Sequence, residues 1–165
     1  MPGHIIGIYT ARKGEKPEAR DFIEVVAGKG IVGDRYFTGE GTFSKKLAGN
    51  RKSEITFIAS EEIDRFNHAQ GSSLDYGDLR RNVVTKDIDL NELVGKKFSI
   101  VGVQFEGIET CEPCAHLAKT VHHAVLPAMI NRAGLRAAVL TSGKIAVGSE
   151  IVTKCTLPDK ERSPV

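Results

Sequence analysis

The chain has 165 residues, 41% of them hydrophobic, which suits one domain with a single substantial core and no need of cross-links. Its 23 Lys and Arg against 21 Asp and Glu leave a net charge of +2, too small to imply duplex binding, so anion recognition must rest on individual arginines. An odd count of three cysteines argues against a secreted disulfide framework, and no apolar run approaches bilayer-crossing length, so a soluble cytoplasmic protein that binds neither nucleic acid nor membrane is expected.

Short, β-rich runs separated by glycine dominate the chain and predict a mainly β fold with a few helices. Strands are expected at His4 to Tyr9, Asp21 to Val26, Glu54 to Ala59, Leu79 to Thr85, Lys97 to Val101, Val103 to Ile108, Leu135 to Thr141 and Lys144 to Val152. Eight such runs suggest a barrel or a strongly bent sheet. A helix is predicted from Ser60 to Ala69, with Ser60 as its cap, Ile63 and Phe66 on one face and Gly71 as its stop. Leu117, Val121, Ala124 and Val125 predict a second, kinked or restarted at Pro127. Thr141-Ser142-Gly143-Lys144 reads as a tight hairpin turn joining the last two strands, with positive φ at Ser142-Gly143. One domain is expected over residues 1–155, followed by a loose tail at 156–165.

Three constellations carry chemistry. Cys111-Glu112-Pro113-Cys114 puts two of the three cysteines one short turn apart. The pair reads as a redox couple, half of a zinc site, one reactive thiol with an incidental neighbour, or two core residues. Pro113 restricts the chain just before Cys114, which suits a side chain presented from a strand-to-helix corner. His116, His122 and His123 match no common zinc spacing and read as helix-surface or interface residues, with His116 an optional supporting partner of the thiol. In the second constellation, strand alternation over residues 79–85 sends Arg80 and Asn82 to one face and Arg81 to the other, beside Leu79 and Val83. Guanidinium and carboxamide together suit a phosphate, a carboxylate or a heterocycle edge. The third is the glycine-spaced loop Gly28 to Tyr36, which closes on Gly33-Asp34-Arg35 and lacks the lysine and hydroxyl of a P-loop.

Taken in order, Gly-Ile-Val-Gly-Asp-Arg-Tyr at 30–36, Glu-Ile-Thr-Phe-Ile at 54–58, Gly-Asp-Leu-Arg-Arg-Asn-Val-Val at 77–84, Leu-Val-Gly-Lys-Lys-Phe at 93–98, Glu-Pro-Cys at 112–114, Gly-Leu-Arg-Ala-Ala-Val-Leu at 134–140 and Gly-Lys-Ile-Ala-Val-Gly-Ser at 143–149 resemble the MOSC domain. That family is named for the C-terminal domain of molybdenum cofactor sulfurases, and the resemblance covers about residues 4–153. It implies a β-barrel resembling the pyruvate kinase barrel domain. It also implies a Pro-Cys cysteine that holds molybdenum or handles its sulfur, here Cys114. The Arg-x-Asn strand that anchors the pterin and its phosphate falls on Arg80 and Asn82, and the Gly-Asp-basic turn on Gly33, Asp34 and Arg35. The chain departs from many relatives in having Glu112 before the proline and Cys111 three places before Cys114. Neither an accompanying N-terminal barrel domain nor an aminotransferase-like sulfurase domain is present in these 165 residues.

Two functions follow from the resemblance. In the first, Cys114 ligates the metal of a molybdopterin cofactor or its tungsten analogue, with Arg80 and Asn82 on the pterin phosphate, helped by Arg35 and the close-approaching glycines 30 and 33. The protein is then a cofactor-binding or cofactor-dependent one, for which reduction of N-hydroxylated compounds with a separate electron donor is one activity the resemblance implies. In the second, Cys114 carries a persulfide to an acceptor protein and Cys111 resolves it through a transient disulfide, so catalysis rests on the two thiols.

Overall fold

A computed structural model describes residues 3–12, 15–34, 54–112, 119 and 121–153. Its strands are β1 (His4–Thr10), β2 (Glu18–Ala19), β3 (Phe22–Val26), β4 (Gly30–Ile31), β5 (Ile55–Ala59), β6 (Val83–Lys86), β7 (Lys97–Ile100), β8 (Val103–Thr110), β9 (Leu135–Val139), β10 (Gly143–Ala146) and β11 (Ile151–Thr153). Helix α1 (Ser60–Gln70), a short α2 (Val125–Ala128) and a 3-10 turn at Leu90–Leu93 complete the described elements. Eight strands form one sheet in the order β11-β7-β8-β9-β5-β6-β1-β2, and β10-β3-β4 form a second. The chain just ahead of β11 bonds back to the start of β1. Ile5 N donates to Ser149 O at 2.9 Å, Gly148 N to Ile5 O at 2.8 Å and Ile151 N to Gly3 O at 2.7 Å. These bonds curl the large sheet into a partly closed barrel.

β5 and β6 are parallel, which requires a crossover, and α1 supplies it. Because α1 covers their outer face, both strands are buried on both sides. Phe57 and Val83 point into the barrel, whereas Ile58 and Val84 join Ile63 and Phe66 beneath the helix. Inside the barrel, Phe57 meets Phe98 and Phe105 edge-on with ring centroids 5.5 and 5.8 Å apart, and Phe98 stacks on Phe105.

Several expectations are corrected. The strand foreseen from Leu79 starts only at Val83, because Arg80 takes a positive φ of 63° and residues 76–79 form a turn. The run 144–152 divides at Gly148, which has φ 95°. Thr141 to Lys144 does connect two strands, but β9 pairs with β5 and β8 while β10 pairs with β3, so no hairpin forms. Positive φ is absent at Ser142 and Gly143, and Gly143 is required for space, since a Cβ there would lie 2.6 Å from Val103. Ala59 rather than Ser60 occupies the N-cap of α1 and makes no side-chain cap bond; the stop at Gly71 is as expected, with φ 63°. Of the second helix, residues 113–118 and 120 lie outside the described residues, as does the tail from residue 154.

The β7–β8 hairpin turns through Val101 and Gly102, both at positive φ, 50° and 81°. This signature of the mirror-image type I′ turn favours Asn-Gly, yet a β-branched residue with 67% exposure holds the first position. Val101→Asn is expected to stabilise the protein by roughly 1 kcal/mol, read as a rise in the urea midpoint at unchanged m-value.

Candidate functional site

Residues 79–82 are a four-residue node rather than a strand. The left-handed backbone at Arg80 aims successive side chains at different parts of the molecule, as regular alternation could not. Arg80 is half-buried and its Nη1 donates to Glu15 O at 3.0 Å. Asn82 is buried, and both ends of its carboxamide are engaged. Oδ1 accepts from Thr56 N and Thr56 Oγ1, each at 3.0 Å, while Nδ2 donates to Tyr9 O at 3.3 Å and Asp34 Oδ1 at 3.5 Å. Asp34, 3% exposed, also accepts from Ala11 N at 3.1 Å. Asn82 and Asp34 thus staple the end of β1 to β5 and to the turn after β4. Tyr9, beside them, has its phenol pushed up by burial and then by Asp75 and Asp78. Farther out, the Tyr76 phenol is raised by burial and by its bond to Asp64.

Arg81 turns inward. The residue is 9% exposed, and its guanidinium donates to four backbone carbonyls: Nε to Ala133 at 2.8 Å, Nη1 to Leu79 at 3.2 Å, and Nη2 to Cys111 at 3.1 Å and Glu112 at 3.2 Å. Among the described residues no carboxylate pairs with it. Cys111 is a free thiol, 1% exposed, whose N–H donates to Gly134 O at 2.7 Å. The Glu112 carboxylate turns away and accepts from Asn131 N at 3.0 and 3.1 Å. The acid beside the proline is therefore engaged in holding the loop before β9. Cys114, Arg35 and His116 lie outside the described residues; His122 stacks on His123 and meets Phe66 edge-on, and its Nδ1 accepts from Ala124 N.

On the opposite side of the node lies a polar cleft of about 250 Å³ lined by Thr10, Ala11, Arg12, Glu15, Arg20 and Gly33, with Glu18 at its edge. Arg20 bonds Thr10 Oγ1 through Nε at 3.0 Å and reaches Glu18 at 3.1 Å. Through Glu15, Arg80 sits at the rim. Arg12 and Arg20 were not singled out by sequence, because an arginine at a strand end is indistinguishable there from a solvated one. Gly30 has a different role from the one expected. A Cβ at that buried position would strike the Glu54 carbonyl, so its bareness serves packing of β4 on β5. A larger cleft of about 610 Å³, between Glu61, Asp87, Asn91 and Arg132, opens near the start of α1.

The MOSC domain profile matches residues 44–152, two-thirds of the chain. The chain belongs to the MOSC domain family. No curated protein matches its sequence. In fold, this MOSC chain is similar to the YuaD protein from Bacillus subtilis, with a TM-score of 0.78 at 20% identity over 92% of this chain and 94% of that one. It is also similar to YiiM from Geobacillus stearothermophilus, with a TM-score of 0.70 at 16% identity over 92% and 75% of the two chains. YiiM from Escherichia coli follows, at 0.59 and 15% over 93% and 69%.

The MOSC family is associated with the molybdenum cofactor. The donor chemistry here suits such a group at its phosphate end: Arg12 and Arg20 line one cleft, Arg80 bonds the Glu15 carbonyl at its rim, and Glu18 pairs with Arg20. No group of three or more His, Cys, Asp or Glu side chains able to hold a metal ion occurs among the described residues. No helix among them is long and apolar enough to cross a membrane.

Proposed function

We propose that this MOSC domain binds the molybdenum cofactor through Cys114, as a reductase of N-hydroxylated compounds that draws electrons from a partner protein. One observation supports this reading above others. A single segment, residues 79–82, bonds on one side to the carbonyls that lead into Pro113-Cys114 and on the other to the rim of the arginine-bearing cleft. A soft thiolate at Cys114 suits molybdenum or tungsten, and Arg80, Arg12 and Arg20, with Arg35, suit the phosphate of the pterin. Asn82 and Asp34 hold that cleft in shape rather than offering free donors. When bound, the cofactor supplies the redox chemistry, and the chain's own residues bind and orient it. The second reading, a persulfide carrier, would use Cys111 as resolving thiol. Its 1% exposure favours the first.

The test is metal and pterin analysis of protein made in a molybdate-fed host with intact cofactor synthesis. Wild-type protein is expected to retain both, Cys114→Ser to lose the metal, and Arg80→Ala to weaken retention about tenfold or more, as for a lost charge-assisted bond. Sulfane sulfur on Cys114 without metal would establish the carrier instead, and neither would refute both. Arg80→Asn separates binding from folding. Asparagine tolerates the left-handed backbone that costs arginine about 1 kcal/mol, so its melting temperature should hold or rise while cofactor retention falls.

A further inference from the structure

The small sheet β10-β3-β4 turns one face to the barrel and the other to solvent. Ile23, Val25, Ile31 and Ile145 point inward and belong to the barrel core. Strand alternation sends Phe22 and Glu24 of β3, Lys144 and Ala146 of β10, and Val32 just past β4 to the outer face. Phe22 is 54% exposed there, while every other phenylalanine of the described residues is buried. Of the six large apolar side chains that those residues expose, Phe22, Val32 and Val147 all lie on or next to this sheet, a concentration that singly scattered exposures do not produce.

The pairing of β10 with β3 gives this face a particular symmetry. Directly opposite Glu24 stands Lys144, and opposite Phe22 stands Ala146. Acid is thus matched with base, and a large ring with a small side chain, across one line that runs between the two strands. A two-fold axis parallel to that line and just above the sheet carries each strand over its neighbour's place in a second copy. Glu24 then meets the partner's Lys144, twice by symmetry, and each Phe22 ring lies over the space that an alanine leaves. In the single chain Lys144 is divided between Glu24, at 3.9 Å, and the Phe22 ring, 5.1 Å from its centroid, and both charged side chains stay more than half exposed.

We propose that this face is an isologous docking surface for a second copy of the chain, with Phe22 as its apolar anchor and the Glu24 and Lys144 pair setting its specificity. Neither cofactor nor thiol enters into it. Phe22 lies two residues after Arg20 and Val32 directly before Gly33, both of which line the polar cleft, so the docked copy borders that cleft.

Sedimentation velocity of the full chain at low salt, from micromolar to submillimolar protein, tests this, with urea denaturation of each variant as the control for folding. Wild type should pass from monomer to dimer within that range and shift back toward monomer as salt is raised. Phe22→Ser should stay monomeric. Glu24→Lys and Lys144→Glu each set like charges opposite one another at two symmetric places and should each weaken association about tenfold or more. The double variant Glu24→Lys/Lys144→Glu restores opposite charges in exchanged positions, so it should dimerise as wild type does. An apolar patch without this symmetry would show no such rescue. Wild type that remains monomeric throughout overturns the proposal, including where the chain's own residues or a different protein cover the face. So does a dimer that Phe22→Ser leaves intact, a single charge reversal that associates as well as wild type, or a double variant no better than the singles. Should Phe22→Ser fail to fold, the charge series still decides.

Discussion

Phe57→Ala is expected to cost about 3–5 kcal/mol and to leave the domain unfolded or nearly so at 37 °C. Phe57 is completely buried, at the meeting of the two other barrel phenylalanines, and it lies on β5, the strand that joins the antiparallel part of the sheet to the parallel pair. Removing its ring opens a cavity that its neighbours cannot collapse into without shifting β5. They are held by rigid ladders on both sides. Since single domains are stable by only about 5–15 kcal/mol, the loss is a large share of the total. Chemical denaturation checks it: the midpoint should fall sharply, and Phe57→Leu, which keeps most of the volume, should recover more than half of the loss.

Asn82→Asp should be nearly as damaging, for an electrostatic reason. The substitution is almost isosteric, but it replaces the Nδ2 donor by an oxygen facing two acceptors, the Tyr9 carbonyl and Asp34 Oδ1. A buried carboxylate so placed keeps the bonds from Thr56 but has lost both Nδ2 donations and meets like charge, and the expected loss at pH 7 is about 3 kcal/mol or more. Its pH dependence has a definite sign. Burial and the neighbouring acid raise the folded-state pKa of the new carboxyl above the unfolded value of about 3.9. The folded state therefore binds the extra proton more readily. The deficit should be smallest below pH ~4 and should grow as pH rises through the folded-state pKa. Denaturation of the variant against wild type from pH 4 to 8 checks this, and a pH-independent difference would rule the electrostatic account out.

Most of the barrel was legible in the sequence because its strands carry local signals. β1, β3, β5, β7 and β8 begin within a residue of expectation, β9 where expected, and α1 differs by one residue at its end. Alternation and β-branched residues suffice where both neighbours in the sheet are regular. They fail at Arg80, where one left-handed residue ends the periodicity and no pattern of residue types announces it. Pairing of β10 with β3 was equally invisible, since the adjacency of β9 in sequence says nothing of a partner about 120 residues away.

The candidate site divides in the same way. Arg80, Asn82, Gly33 and Asp34 were recognisable as a set, and the fold gathers them around the end of β1. Their division of labour was not recognisable, because whether a carboxamide meets a ligand or a backbone depends on contacts such as Asn82 to Thr56 and Tyr9. Strand alternation set Arg81 beside Leu79 and Val83, but residues 79–82 are no strand and those two side chains join different core clusters. The importance of Arg81 lay in carbonyls 30 and 52 residues away.

The seal between the start of β1 and residues 148–151 sets a schedule for synthesis on the ribosome. The end of the first strand pairs with β2 almost at once, yet the Gly3–Ile5 stretch of that edge waits nearly 150 residues for its partner. At 5–20 residues per second that interval is on the order of 10 s, during which an apolar ribbon waits with open hydrogen-bonding groups. Until that seal forms, the open edge is a template for pairing with another chain, a hazard that the finished barrel no longer carries.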